Sequence, residues 1–444
     1  MASRSLYFLV GVAVIAVLLA ASYMAVEGRG GAKPAERPAP TAAPAATATA
    51  TEHGEYTGES TGHTTAVAHT ATATETRHES ERTATGVETK AEKEATTATT
   101  RAGGGEKLVV YVYEDFMAWG EDPELFDKLV ENFTRETGIA VELRKFDGAR
   151  NMVTQVIAES RAGMETADVV IGVDPVLLVE LKSHGLVECY ASPLASRELV
   201  ESLDPEGCAT PVDYGLIALV YDPGRLNETE KAMLSDGVTL DELVALAPRI
   251  VAEDPTQSST GLNFLLYTIA VSELENRDWR DLWRAMKDNG LMVAPSWGDA
   301  YDEFFREGSP RAIVVSYGTD PAYSAWYNAR KGGEEKPSIA AAVLTAGGEK
   351  IGWLQVEGAA IIRGAPVEEA RRFVDWLLSR EVQEEIPTSQ WMLPARSDVE
   401  LPSFYRYALG VDSVDKLGNT LLPGSRVAGE LEKWLRDWLG VMTG

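Results

Sequence analysis

Three short apolar runs set the strongest limit on how this chain folds. KLVVYVY (107–113), IAVELRK (139–145) and ADVVIGV (167–173) are of strand length and rich in β-branched residues. The stretches between them, 123–137 and 152–162, place apolar residues at helical spacing. A β-α-β-α-β series with strands this apolar requires a parallel sheet covered by helices, so the expected class is α/β. A second such region opens near Tyr214 (GLIALVYD). Helices are expected over 240–247, 262–274 and 279–287, with a strand AIVVSY at 312–317 and another, LQVEGAAII, at 354–362. Helices over 367–379 and 428–439 close the chain. The expected architecture for 106–444 is two lobes, one from about 106–213 plus part of the C-terminal region and one from about 214–350. A cleft between two such lobes is a favoured place for a small-molecule site.

Before residue 106 the composition changes. Residues 6–26 form an unbroken apolar run, LYFLVGVAVIAVLLAASYMAV, long enough to cross a bilayer as a helix. Residues 1–31 therefore read as a signal peptide or membrane anchor. The length of the run favours a retained anchor, although Ala20-Ala21-Ser22 offers a cleavage site. Residues 32–105 are mostly Thr, Ala, Pro, Glu and Gly, with almost no large apolar side chain, so no core offsets the entropy of ordering them. They read as a disordered, Thr/Ala/Pro-rich stalk of the O-glycosylated kind, with a reach on the order of 45 Å. The globular part is then extracytoplasmic, tethered to the cell membrane or released if the segment is cleaved. Asn132 and Asn227 each begin an N-x-T acceptor sequence. Cys189 and Cys208 are the chain's two cysteines and, in an exported domain, a natural disulfide pair.

A net charge of −27 without a basic stripe excludes nucleic acid as a partner. The means for catalysis are few. His184 is the one histidine of the globular part; His53, His63, His69 and His78 lie irregularly spaced in the stalk. No H-E-x-x-H, C-x-x-C, G-x-S-x-G or Gly-rich phosphate loop occurs, and zinc ligands are lacking. No catalytic residue, metal site or cofactor is expected. Carboxylates are abundant and none stands out by spacing. The aromatic residues say more. Tyr113 and Trp119 flank the turn after the first strand, Trp297 opens a helix, Tyr317 ends a strand, Tyr323 lies one turn into the next helix, and Trp391 sits in a loop. Converging at lobe edges, they would form a stacking cage for a flat, cationic heteroaromatic ligand. Asp147 and Gly148 after the second strand, and Ser258 and Ser259 before a helix starting near Gly261, supply polar groups there. Asp320, just before Pro321, reads as a helix N-cap with proline at the first helical position.

The stretches VYVYEDFMAWG, PVDYGLIALVYD, EDPTQSSTGLNFLL, PSWGDAYDEF, VVSYGTDPAY, WLQVEGAAI and IPTSQWMLP follow one another across most of 107–403. In them the chain resembles the thiamine-binding periplasmic proteins of ABC importers. The resemblance implies a two-lobed periplasmic-binding-protein fold, of the group with two crossing connections, that closes on thiamine or its mono- or diphosphate and passes it to a membrane permease. It implies a monomer, with Trp119 and Tyr323 sandwiching the ligand and Tyr113 and Trp391 beside it. Asp147, Gly148, Ser258, Ser259, Trp297, Tyr317, Gly318, Thr319 and Asp320 would supply the other contacts. Gly318 and Asp320 depart from the family, which has Thr and Ser there. Three alternatives stand beside this reading. One is a protein of the same fold for ferric ion or another small solute. Another is a thiaminase-like enzyme of that fold using Cys189 or Cys208 as nucleophile. The last is a purely structural surface glycoprotein.

Overall fold

The computed structural model describes residues 107–444. The apolar run at 6–26 and the stalk at 32–105, with its four histidines, lie outside the described residues. Among those described, no helix is long and apolar enough to cross a membrane.

The chain opens with β1 (Leu108–Tyr113), α1 (Leu125–Thr137), β2 (Val141–Phe146), α2 (Ala149–Arg161) and β3 (Val169–Val173). β1 lies between β2 and β3, parallel to both. Its residues alternate between two cores: Val110 and Val112 pack with Phe126, Val130 and Phe133 of α1, and Tyr111 packs with Met152 and Val156 of α2. α1 ends where Gly138 adopts φ 76° and returns its N–H to the Thr134 carbonyl, a left-handed stop that glycine makes at little cost. α3 (Pro175–Ser183), β4 (Val187–Glu188) and α4 (Arg197–Leu203) then lead to β5 (Thr210–Tyr221). The following region holds α5 (Glu228–Ser235), α6 (Leu240–Leu246), β6 (Ile250–Glu253), α7 (Ser259–Leu274), α8 (Trp279–Asp288), β7 (Met292–Ala294), α9 (Trp297–Phe305), β8 (Ile313–Tyr317) and α10 (Asp320–Arg330). β9 (Ala340–Ala342), β10 (Leu344–Ala346) and β11 (Glu349–Ile362) return the chain. α11 (Val367–Leu377), the short α12 (Arg380–Gln383) and α13 (Ile386–Ser389), and α14 (Gly424–Thr443) complete it.

The sheet runs β2-β1-β3-β11-β5-β8-β6-β7, with helices on its faces. It is mixed, where the alternation of elements predicts parallel pairing throughout. β1, β2 and β3 are parallel, as are β6, β7 and β8. β5 and β11 run antiparallel to each other, β11 also to β3, and β5 also to β8. The reason is connectivity: each of these strands carries the chain across from one lobe to the other, and the two crossings are made in opposite directions. Both are longer than expected, beginning at Thr210 and Glu349 rather than near 214 and 354. Their register shifts between Glu357 and Gly358. A Cβ at Gly358 would lie 2.7 Å from the Thr210 carbonyl oxygen, so the shift requires glycine. α7 also begins earlier than expected, at Ser259, because the Ser258 hydroxyl accepts the Gly261 N–H and caps it.

Cys189, just after β4, and Cys208, just before β5, are joined by a disulfide that closes the segment holding α4. With 19 residues of separation, loop-closure entropy gives the bond about 3 kcal/mol of stabilisation. The Cys189→Ser/Cys208→Ser double variant is expected to lose about 3 kcal/mol of unfolding free energy, read as a lower denaturant midpoint. A midpoint equal to wild type under oxidising conditions would show that α4 is held by packing alone.

Candidate functional site

The C-terminal ends of β1 and β8 approach the crossing strands from opposite lobes, and each ends in a tyrosine. The Tyr113 ring lies against Gly172, where a Cβ would fall 2.4 Å from the ring, so the missing side chain makes its place. Its hydroxyl donates to Glu357 Oε2 at 2.7 Å and accepts from Gln390 Nε2 at 2.5 Å. The Tyr317 hydroxyl lies 3.2 Å from Thr260 Oγ1 at the start of α7.

The loop after β1 is tied to the loop after α13. The Trp119 N–H donates to the Ser389 carbonyl at 3.0 Å, the Met117 N–H to Gln390 Oε1 at 2.6 Å, and Trp391 Nε1–H to the Trp119 carbonyl at 3.0 Å. Trp391 has φ 60°, a region a bulky residue rarely adopts, and is held there by packing against Ala322, Ala325 and Phe404. These ties gather the rings. Trp119, 40% exposed, meets Trp297 edge to face at 5.3 Å, and Trp297 stacks on Tyr301 at 4.4 Å. Trp297 Nε1–H donates to Ser316 Oγ at 3.0 Å. Tyr323 meets Trp391 edge to face at 5.0 Å. Trp119 and Tyr323 thus both adjoin Trp391, one through its carbonyl and one through its ring. Tyr301 is not singled out by the sequence; its signal is its position four residues after Trp297, one turn along α9.

The expected polar groups are placed less uniformly. Asp147 is exposed at the end of β2, its carbonyl accepting from Asn151 Nδ2 at 2.6 Å, and Gly148, with φ 84°, precedes α2. Ser258 caps α7, and the Ser259 carbonyl accepts from Asn263 Nδ2 at 2.9 Å. Gly318 gives its N–H to the Leu216 carbonyl and its own carbonyl to the Leu409 N–H. The Thr319 hydroxyl is buried without a partner. Asp320 is not the N-cap. Thr319 holds that position, and Asp320 is the first residue of α10. Its carboxylate turns from the helix end to accept from the Tyr301 hydroxyl, a partner supplied by a different helix.

The structure also gathers carboxylates that sequence spacing does not distinguish. Asp213 on β5 and Glu357 on β11 face each other in register. Asp174 caps α3, Glu253 ends β6, and Asp320 lies beside Tyr301; all five are buried. Both oxygens of Asp213 and both of Glu253 lack a hydrogen-bond partner. Burial pushes the Asp320 carboxyl up to about 6 against the hydrogen bonds from Tyr301 and Ser316. Burial likewise raises Asp213, with the facing Glu357 adding to it, and raises Glu253, with Asp320 adding to it. Glu357 is raised by burial against the hydrogen bond from Tyr113. In a chain with 68 acidic residues no local spacing marks these; pairing across β5 and β11 does. Aromatic rings beside buried carboxyls, as Tyr301 is beside Asp320 and Tyr113 beside Glu357, suit a flat cation. Surface hollows of about 450 Å³ (Asn328 to Ser338) and about 710 Å³ (Arg280, Arg436 and neighbours) are lined by none of these groups.

The family model of bacterial extracellular solute-binding proteins matches residues 128–408. The chain belongs to this family. Among curated proteins it is similar to the thiamine-binding periplasmic protein of Brucella melitensis, 29% identical over 341 residues, covering 75% of this chain and 91% of that one. Among solved structures it is similar to a periplasmic thiamin binding protein, with TM-score 0.59 and 26% identity over 77% of this chain and 98% of that one. A ferric binding protein from Campylobacter jejuni, 18% identical, has TM-score 0.58 with 76% and 99% covered, a likeness of fold. The chain is thus a two-lobed solute-binding protein and not an enzyme, and its resemblance to thiamine-binding periplasmic proteins extends well beyond the seven stretches. With both cysteines in a disulfide, neither is a free thiol nucleophile.

The raised carboxyls give the solute-binding protein a distinctive pH response. The folded state keeps protons on Asp320 and its neighbours where the unfolded chain has lost them, so stability falls as pH rises through that window. Without ligand, the thermal midpoint is expected to rise as pH falls from about 7 to about 4.5. It then declines below about 4 as Glu303 and Asp398, held at about 2 by hydrogen bonds from Arg306 and Arg396, take up protons. Asp320→Asn is expected to flatten the rise. Circular-dichroism melts at stepped pH measure it, and a flat wild-type profile between those limits contradicts the assignment.

Proposed function

We propose that this chain is the extracytoplasmic solute-binding subunit of an ABC importer, capturing thiamine between its lobes and delivering it to the permease. One observation carries the reading: two groups of contacting rings, Trp119 with Trp297 and Tyr301, and Tyr323 with Trp391, adjoin buried carboxyls, and among the described residues no cationic side chain pairs with Asp213, Glu253, Glu357 or Asp320. A flat heteroaromatic cation meets both requirements, by stacking and by charge. The thiamine-binding names of the relatives agree with it. In this reading Trp119 and Tyr323 flank the ligand, with Tyr113, Tyr317 and Trp391 around it. Asp147, Gly148, Ser258, Ser259 and the segment from Gly318 to Asp320 form the rim. Residues 1–31 would tether the protein and 32–105 would act as the stalk. Asp320, ionised above pH of about 6, adds negative charge beside Tyr301, and like charges at a poorly hydrated site cost several kcal/mol. Free thiamine is therefore preferred over its phosphates.

Calorimetric titration of the purified chain with thiamine, its monophosphate and its diphosphate tests this, and thiamine recovered afterwards should be intact. Absence of binding to all three would exclude the reading. Trp119→Ala is expected to weaken thiamine binding by about 1–3 kcal/mol, as when an aromatic is removed from a stacked base. An unchanged dissociation constant in a folded variant would remove Trp119 from the site. Asp320→Ser is expected to narrow the gap between thiamine and its phosphates; a constant ratio in low salt would assign Asp320 a structural role.

A further inference from the structure

The crossing strands carry buried acceptors with too few donors to match. Asp213 and Glu357 are register partners, which places their Cβ atoms about 4.5–5.5 Å apart on one face of the sheet. Asp213 is 0% exposed and Glu357 7%. Two donors reach the pair, the Tyr113 hydroxyl at 2.7 Å and Gln355 Nε2 at 3.0 Å, and both go to Glu357. Asp213 receives none, and neither does Gln355 Oε1, whose side chain shares the Glu357 face two residues away and is 1% exposed. Three acceptor atoms of two different side chains thus stand without a donor.

No cation answers them from the surrounding elements. The groups close enough to act on the pair are Tyr113 on β1, Asp174 at the start of α3, Tyr317 on β8 and Tyr405 in the turn at Ser403–Tyr407; Glu253 acts in turn on Tyr317 and Asp320 on Tyr405. Arg150 acts on Asp174 and pairs with Glu180 at 3.5 Å. Two ionised carboxylates in such surroundings cost several kcal/mol, so the empty pair holds a proton. The flanking tyrosines come from opposite lobes, which puts the pair where the two lobes join.

We propose that the Asp213–Glu357 pair selects for charge, accepting the positive charge of the ligand and releasing the proton that the two carboxyls share when the cleft is empty. This rests on the thiamine reading and assigns the thiazolium to the pair. Charge balances: the singly protonated pair carries −1, and the doubly ionised pair with a monocation also carries −1, with one H⁺ passing to solvent. Affinity therefore rises with pH where the free pair titrates.

The test is calorimetry of the purified full chain in two buffers of equal pH and different ionisation enthalpy, PIPES and Bis-Tris. Thiamine is compared with its 3-deaza analogue, in which a neutral thiophene replaces the thiazolium. The expected result is a buffer-dependent enthalpy equivalent to about one released proton, with affinity rising between pH of about 6 and about 7.5 toward a limit on the order of tenfold per unit. The neutral analogue should show neither effect. Asp213→Asn and Glu357→Gln should abolish the buffer dependence and shrink the preference for thiamine over the analogue on the order of tenfold. Thiamine binding without proton release, or with equal affinity for the analogue, overturns the inference and leaves the thiamine reading intact. Failure of both ligands to bind overturns both. The wild-type comparison requires no variant, so a misfolded substitution does not spoil it.

Discussion

The antiparallel pairing of β5 with β11 is the interaction on which the rest depends. It joins two parallel-stranded halves into one sheet, from Trp353 opposite Ile217 to Ala359 opposite Thr210. Both lobes hang from it: β3 packs on the outer edge of β11 and β8 on that of β5. Because both crossings occur here, the C-terminal ends of β1 and β8 are brought to the same place, and Tyr113 and Tyr317 meet the pair from two sides. The shift at Gly358 locates where the ladder yields, one residue beyond Glu357. The proposed ligand chemistry and the lobe connection thus occupy the same few residues.

The proposed binding face is assembled at a cost to stability. Uncompensated buried carboxylates, a tryptophan in the left-handed region and an unpartnered threonine hydroxyl are each unfavourable. They sit together, surrounded by ordinary well-packed cores such as that of Phe264, Trp283 and Trp438. Such a concentration of unfavourable groups within a sound scaffold is what a binding surface requires, since the groups that meet a ligand must be left unmet by the protein. The rings are held by backbone hydrogen bonds between the loops at 117–119 and 389–391, segments far apart in sequence. The exposed ion pair of Arg330 with Glu121 also joins α10 to the loop before α1, but an exposed pair adds little to stability. The contact of Trp119 with Trp297 is the more substantial link between the halves.

Much of the molecule was legible in the residues. The alternation of apolar runs and amphipathic stretches located β1, α1, β2, α2 and β3 to within about three residues, because periodicity records which face of an element is buried. Trp297 was recognisable as opening a helix, and the seven stretches pointed to the thiamine-binding periplasmic proteins to which the chain is similar. Any one of the aromatic residues packs as readily in a core, as Trp391 does, and it was their number at lobe edges that made them visible. Tyr301 carries no sequence mark beyond its spacing from Trp297, and the partner of Asp320 lies on another helix, which its neighbours along the chain do not show.

The sequence by itself determined the elements, their order, the α/β class and the residue types available for stacking. Tertiary structure alone decided the direction of β5 and β11, the opposition of Asp213 and Glu357, and the turn of Asp320 toward Tyr301. Local periodicity depends on positions a few residues apart. Strand direction and register depend on which distant segment closes the sheet. The character of a carboxyl depends on how much water the assembled fold removes from it, and that is settled only when both lobes are in place.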